Sequence, residues 1–144
     1  MKRSGGGVRL VDGVEYRVLS VHPVWAWAIL FAGKDIENRT WTTRYRGTLL
    51  IHASSKRYST AELERARRFI AKNARMRLSD VPADFPRSQI VGLVELEDCV
   101  RRHRSPWAFP RQEHWVLKKP RRLARPIENV KGKLNVWRWQ RGED

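Results

Sequence analysis

One cysteine, Cys99, stands in 144 residues, so no disulfide can form within the chain. Acids are also scarce: 15 Asp and Glu face 30 Lys and Arg, a formal charge of +15. No apolar run reaches the length of about 18 residues that a membrane span needs. No basic amphipathic helix offers a bulky apolar face beyond what a core uses, so a membrane partner is not expected. The opening residues, MKRSGGGVRLVDG, are basic and lack the apolar run of a signal peptide. They read as a flexible tail over residues 1–14, and the chain reads as cytoplasmic. Four His and one Cys show no ligand-like spacing, which predicts no metal site. A GxSxG elbow, a phosphate-binding Gly loop and an HExxH pair are all missing, as are internal repeats. No cofactor is expected.

What remains is a length suited to one domain with a real core, here residues 15–141. The positive charge attracts polyanions at long range, and nucleic acid is the usual one. Seven Trp are present. Most are expected in the core, with one or two left to line a pocket that stacks a planar ligand.

Local patterns predict the elements. Residues 16–21 alternate and are rich in β-formers, which predicts a strand. Pro23 opens a helix over residues 24–32, and Gly33 stops it. Residues 34–43 are extended or looping. A strand begins at Gly47 with TLLIHA, which is too continuously apolar to be half exposed. Ser59 and Glu62 form a capping box, so a second helix covers 60–74. Residues 77–87 contain two prolines and read as a loop, and 101–111 as another. Residues 89–100 are a long strand with Gly92 at a bulge. Further strands are expected at 114–117, 121–124 and 134–140, the last with Trp137 and Trp139 on one face. The fold class is α+β, mainly β: a small, partly closed barrel with two flanking helices.

The segment GKDIENRTW, residues 33–41, lies between an apolar helix and an apolar strand. Charges held there are expensive unless paired or used. If the segment is strand-like, Glu37 and Arg39 point the same way.

The ordered set SVHPxWA (20–26), GKxIENRxW (33–41), YRGxLLIHA (45–53), FPxxxIVGLVELxDC (85–99) and KGxxxVWxW (131–139) resembles the ASCH domain family. The resemblance implies a PUA-like β-barrel, related to RNA-binding PUA domains and modified-base readers. It also implies a cleft between the barrel and its early helix, holding Gly33, Lys34, Glu37 and Arg39. Its functions are divided: nucleic-acid binding in coactivator-linked members, ribonuclease activity proposed for some bacterial ones, and hydrolysis of an acylated cytidine by a Lys, Thr and Glu set. Lys34 matches that Lys, whereas Glu37 occupies the Thr position and Glu113 is the loosest counterpart of the Glu.

On this basis the expected function is nucleic-acid binding, RNA ahead of DNA, by a monomer, with a small hydrolase of RNA or a modified nucleoside as the alternative. Lys34 is expected to be an exposed cleft residue. It, Glu37, His52 and Lys56 are the catalytic candidates. Ligand contacts are assigned to these four and to Trp25, Arg39, Trp41, Tyr45, Arg46 and Ser54. Trp41 is the better stacking residue because it sits in a loop, and Arg46 suits a phosphate. The bland readings stand beside these: an ion-paired network at Glu37, helix-to-barrel packing at Trp25, and a hydrogen-bonded core histidine at His52.

Overall fold

The computed structural model describes residues 6–142. Strand β1 (Glu15–Val21) leads into helix α1 (Pro23–Phe31) and the short strand β2 (Ile36–Arg39). Then come β3 (Gly47–Ala53), helix α2 (Thr60–Ala74), β4 (Gln89–Val100), β5 (Glu113–Ile127) and β6 (Val136–Gln140). They form one six-stranded sheet in the order β2-β5-β4-β3-β1-β6, curved into a half-barrel. Among these six strands β1 and β3 alone pair in parallel, because α1 and β2 carry the chain back between them. The expected mainly-β small barrel with two helices is the observed fold.

Each sheet face has its own core. Leu19, Leu49, Ile51, Val94 and Leu96 pack under Ala26 and Ile29 of α1. Val18, Leu50 and Leu93 face the other way, with Leu10, Leu123 and Trp137 over them. Period-two alternation along β1 and β3 makes this division. Outside α1, helix α2 packs through Ile70 and Ala71 against a cluster that includes Phe85 and Trp107. Its capping box is formed as expected: Glu62 N–H donates to Ser59 Oγ at 3.1 Å, and Ser59 N–H to Glu62 Oε1 at 2.9 Å.

Gly92 does sit beside a bulge. Register slips where Ile51 pairs with Gly92 and His52 with Ile90. A Cβ on Gly92 would lie 2.5 Å from a Leu30 methyl and 2.7 Å from the Arg121 carbonyl, so only glycine lets α1 and β5 approach this closely.

Two expectations are corrected. The separate strands at 114–117 and 121–124 are one strand, β5. Pro120 does not break it, because Lys118–Arg121 absorbs a bulge with Lys119 at φ 52°, where no ladder N–H is needed. Of the two alternatives for the segment after Gly33, the extended one holds over Ile36–Arg39, which pairs with β5. The tail is anchored in part. Val8 N–H donates to the Arg122 carbonyl and Ala124 N–H to the Val8 carbonyl, both at 2.9 Å, and Leu10 is buried. Residues 1–5 of that expected tail lie outside the described residues. Smaller differences are a 3-10 turn at Leu78–Asp80 and a later start to β6.

Candidate functional site

The site begins at the end of α1. Gly33 takes φ 73°, a left-handed conformation that glycine adopts without strain, and this turns the chain so that Lys34 N–H reaches the Ala28 carbonyl at 3.1 Å. Lys34 is thereby aimed back along the helix. Its Nζ donates to the Ile36 carbonyl and to Glu37 Oε1 at 3.1 Å, and stands 5.5 Å from the centroid of the Trp25 ring. Glu37 Oε2 accepts from Arg39 Nε at 3.1 Å. Arg39 and Glu37 do share a side of β2, as alternation requires. A second nitrogen of Arg39 donates to the Ser20 carbonyl on β1 at 2.6 Å, tying edge strand β2 to the far part of the sheet.

Lys34 and Glu37 are 4% and 6% exposed. Lys34 is therefore not an exposed cleft lysine but half of a buried ion pair. Two cations serve one carboxylate, so the cluster keeps a surplus positive charge. Arg39 faces the ring of Trp41, 5.9 Å from its centroid. Trp41 is half-buried, edge-on to Trp115 at 4.8 Å, and its carbonyl accepts from the Trp115 indole at 3.0 Å. Trp25 is half-buried and meets Phe69 of α2 edge-on at 5.8 Å, a helix-to-helix contact where packing on the barrel was expected.

Two further groups reach this cluster from the ends of β1 and β3. Lys56 is partly exposed, 5.3 Å from the Tyr58 ring and 3.9 Å from Glu62. Ser54 holds the bend before it: Ser54 N–H donates to the Val21 carbonyl at 2.8 Å and Lys56 N–H to Ser54 Oγ at 3.3 Å. His22, which sequence reasoning passed over, is exposed at the start of α1 and lies within the fields of Lys56, Glu37 and Arg39. Partial burial of its ring is the largest cause of a pKa below the usual value. Lys56 adds to that, Glu37 opposes it and Arg39 adds a little more. The signal for His22 was its position, directly after a strand and before the helix that carries Trp25.

Three candidates fall elsewhere. His52 is 1% exposed, and both ring nitrogens are committed. Nε2 faces the Val130 carbonyl at 2.7 Å, so it must carry the proton; Nδ1 then accepts from the Ser20 hydroxyl at 2.9 Å. Ser20 Oγ in turn accepts from the Trp137 indole at 3.2 Å. This closed network makes His52 a core residue, as the bland reading held. Tyr45 and Arg46 sit at the start of β3, a full strand length, roughly 20 Å, from the Ser54 end. Tyr45 donates to the Thr48 carbonyl, and Arg46 donates to the carbonyls of Thr43 at 2.7 Å and Tyr45 at 2.9 Å, so both shape their own loop.

Beside the Gly33 turn lies a cavity of about 210 Å³. Ile29, Val94 and Leu117 line it with Lys118, Lys119 and Asp35. Lys118 and Lys119 were not among the candidates named from the sequence. The β5 bulge brings them to the turn. Among the described residues, no group of three His, Cys, Asp or Glu is arranged to hold a metal ion.

The model of the ASCH domain matches residues 19–127. The chain belongs to the ASCH domain family. The matched stretch contains the whole cluster from His22 to Lys56. Similar proteins include activating signal cointegrator 1 of Homo sapiens and of Mus musculus, each 31% identical over 129 residues covering 83% of this chain. The chain spans 22% of the length of either relative.

Proposed function

We propose that this ASCH domain binds nucleic acid, RNA in the first place, and holds a base or nucleotide where His22, Trp25, Lys34, Glu37, Arg39, Trp41 and Lys56 converge. The observation that carries the reading is the cation surplus at a buried cluster flanked by aromatic rings. Lys34 and Arg39 share the single carboxylate of Glu37, and Lys56 and His22 stand beside them. An anion would be welcome there, and the Arg39–Trp41 pair offers a planar surface of the kind bases stack on. The net charge of +15 supplies long-range attraction. Membership of a family generally associated with RNA supports RNA over other polyanions.

The second reading is a small hydrolase acting on RNA or on a modified nucleoside. His22 favours it: its lowered pKa leaves the ring neutral at neutral pH, beside Lys56 and Glu37, where it could accept a proton. Glu37 is less suited to that task, because each of its oxygens already faces a cation.

One experiment separates the two. Labelled single-stranded RNA is incubated with the protein, with and without a chelator, and both shift and products are followed. The binding reading expects a stable shift with intact RNA. Its affinity should fall with salt at about 0.7 log units per decade for each phosphate engaged, hence roughly three to four units for four to six contacts. Chelator-resistant products that vanish in His22→Ala would favour the hydrolase. Absence of both shift and products would end the nucleic-acid reading.

A further inference from the structure

The sheet face turned away from α1 carries a second concave surface. Over the Val18, Leu50 and Trp137 side lie two cavities of about 590 and 400 Å³, with Ile127 and Arg141 in the walls of both. Six cations line them, Arg9, Arg125, Lys131, Lys133, Arg138 and Arg141, against two acids, Asp12 and Glu128. Asp12 stands 3.1 Å from Arg141, and Glu15 is 3.8 Å from Arg138. Among the described residues, Arg9, Arg125, Lys131 and Lys133 have no carboxylate partner. Lys133 instead lies 5.8 Å from the centroid of the Trp137 ring, which places its ammonium at the wall of the groove.

The two tryptophans of β6 differ here. Trp137 is buried, donates to Ser20 and meets His52 edge-on at 5.6 Å. Trp139 is half-buried in the wall of the groove and, among the described residues, has neither a ring partner nor a hydrogen bond from its indole. An open basic groove with an available aromatic face suits a single strand, whose phosphates and unstacked bases are both within reach. A duplex would keep its bases from such a wall.

We propose that this groove is a second nucleic-acid contact, in which Arg9, Arg125, Lys131 and Lys133 hold the phosphates of a single-stranded segment and Trp139 stacks one base. It rests on the nucleic-acid reading above and adds a second face to it. A strand that engages both faces gains by effective concentration, so neither contact has to be tight alone.

The test uses a fluorescein-labelled oligouridylate of about 12 nucleotides, within the range small β-barrels cover, with affinity read by anisotropy from low to high salt. Lys131 and Lys133 are exposed, so Lys131→Ala/Lys133→Ala should fold normally. It should bind about tenfold more weakly and lose about 1.4 from the salt slope, twice the single-strand increment. Arg65→Ala/Arg68→Ala removes the same charge from the exposed face of α2 and should move the slope by less than about 0.5. Trp139→Leu keeps an apolar cover on the core and should weaken binding by about tenfold. Equal effects of the two double variants, or wild-type affinity in either the lysine variant or Trp139→Leu, would overturn the groove while leaving the cleft intact. Failure of the wild-type protein to bind the oligonucleotide would remove the nucleic-acid reading itself, and the groove with it.

Discussion

Two polar clusters are buried within this small barrel, and they differ in one respect. Around His52 every polar group is neutral and matched: the Trp137 indole donates to Ser20, Ser20 to His52, and His52 to the Val130 carbonyl. Around Glu37 the groups are charged and unequal in number, two cations to one carboxylate. A closed neutral network rigidifies a core and asks nothing of a ligand. A charged cluster with a surplus remains incomplete in a low-dielectric setting, and an anion completes it. Both clusters touch Ser20 of β1, the first through its hydroxyl and the second through its carbonyl, so they meet at one residue. Proximity therefore does not distinguish the two clusters; the charge balance does.

The harshest way to break the comparison is Glu37→Gln. It removes the carboxylate that Lys34 and Arg39 share and strands Lys34 as a buried charge, which should cost about 3–5 kcal/mol in denaturant unfolding. A loss below about 1 kcal/mol would mean that Lys34 is solvated and that the cluster is not the buried ion pair described. Lys34→Ala should be gentler, because Glu37 keeps Arg39, yet its melting temperature should still fall.

His52→Ala comes next. It leaves the Ser20 hydroxyl short of an acceptor and the Val130 carbonyl without its donor, a loss of about 2–4 kcal/mol when the vacated ring volume is included. RNA affinity at a temperature where the variant remains folded should be unchanged. Selective loss of binding with wild-type stability would reverse the assignment and return His52 to the site.

The two histidines sharpen the contrast through pH. Burial lowers the pKa of His52 below its ordinary 6.5, so the unfolded chain takes up that proton first. Stability is then complete above pH 6.5 and is lost as pH falls from there toward the folded value. His22 is also lowered, chiefly by partial burial, and adds in the same direction to stability. Binding runs the opposite way: a phosphate beside His22 favours the protonated ring, so affinity should rise as pH falls toward the lowered pKa of His22 in the free protein. Melting curves and anisotropy across pH 5–8, roughly the range where imidazoles titrate, separate the effects. His22→Ala should flatten the pH dependence of binding alone. A pH-independent affinity in the wild type would remove His22 from the site.

Much of this was legible where the signal is local. Pro23, Gly33 and the Ser59–Glu62 box mark helix ends through backbone chemistry that tertiary context seldom overrides, and α1 and α2 follow them closely. Glu37 and Arg39 were brought together by strand alternation alone. The continuity of β5 was not legible, because Pro120 reads as a break until a bulge supplies a place where its missing N–H does not matter. Nor was the burial of Lys34, since a lysine inside an ion pair looks the same in sequence as one in solvent. Tyr45 and Arg46 follow GKDIENRTW closely in the chain, yet the segment between runs down the barrel and leaves them at the opposite end of β3. His22 is 15 residues before Glu37 and shares its field. Sequence separation misled in both directions, because the crossover between parallel strands folds one span back and carries the other away.

Arg46 supplies the smallest expected effect and the sharpest check on that placement. Its guanidinium is exposed, bonded to two carbonyls of its own loop, and 3.4 Å from the exposed Asp98. Arg46→Ala should change stability by no more than about 0.5 kcal/mol, since an exposed ion pair contributes little and water can replace the loop contacts. If the nucleotide lies near Lys34 and Arg39, removal of Arg46 takes one charge from the surface field but no phosphate contact. The salt slope should then move by well under the 0.7 or so that a lost single-strand contact brings. Lys56→Ala, at the other end of the strand, should move it by about that full increment. The same oligonucleotide measured against both variants gives the comparison directly. A full-contact effect from Arg46 with none from Lys56 would place the ligand at the start of β3, and the surplus charge around Glu37 would then need a different explanation.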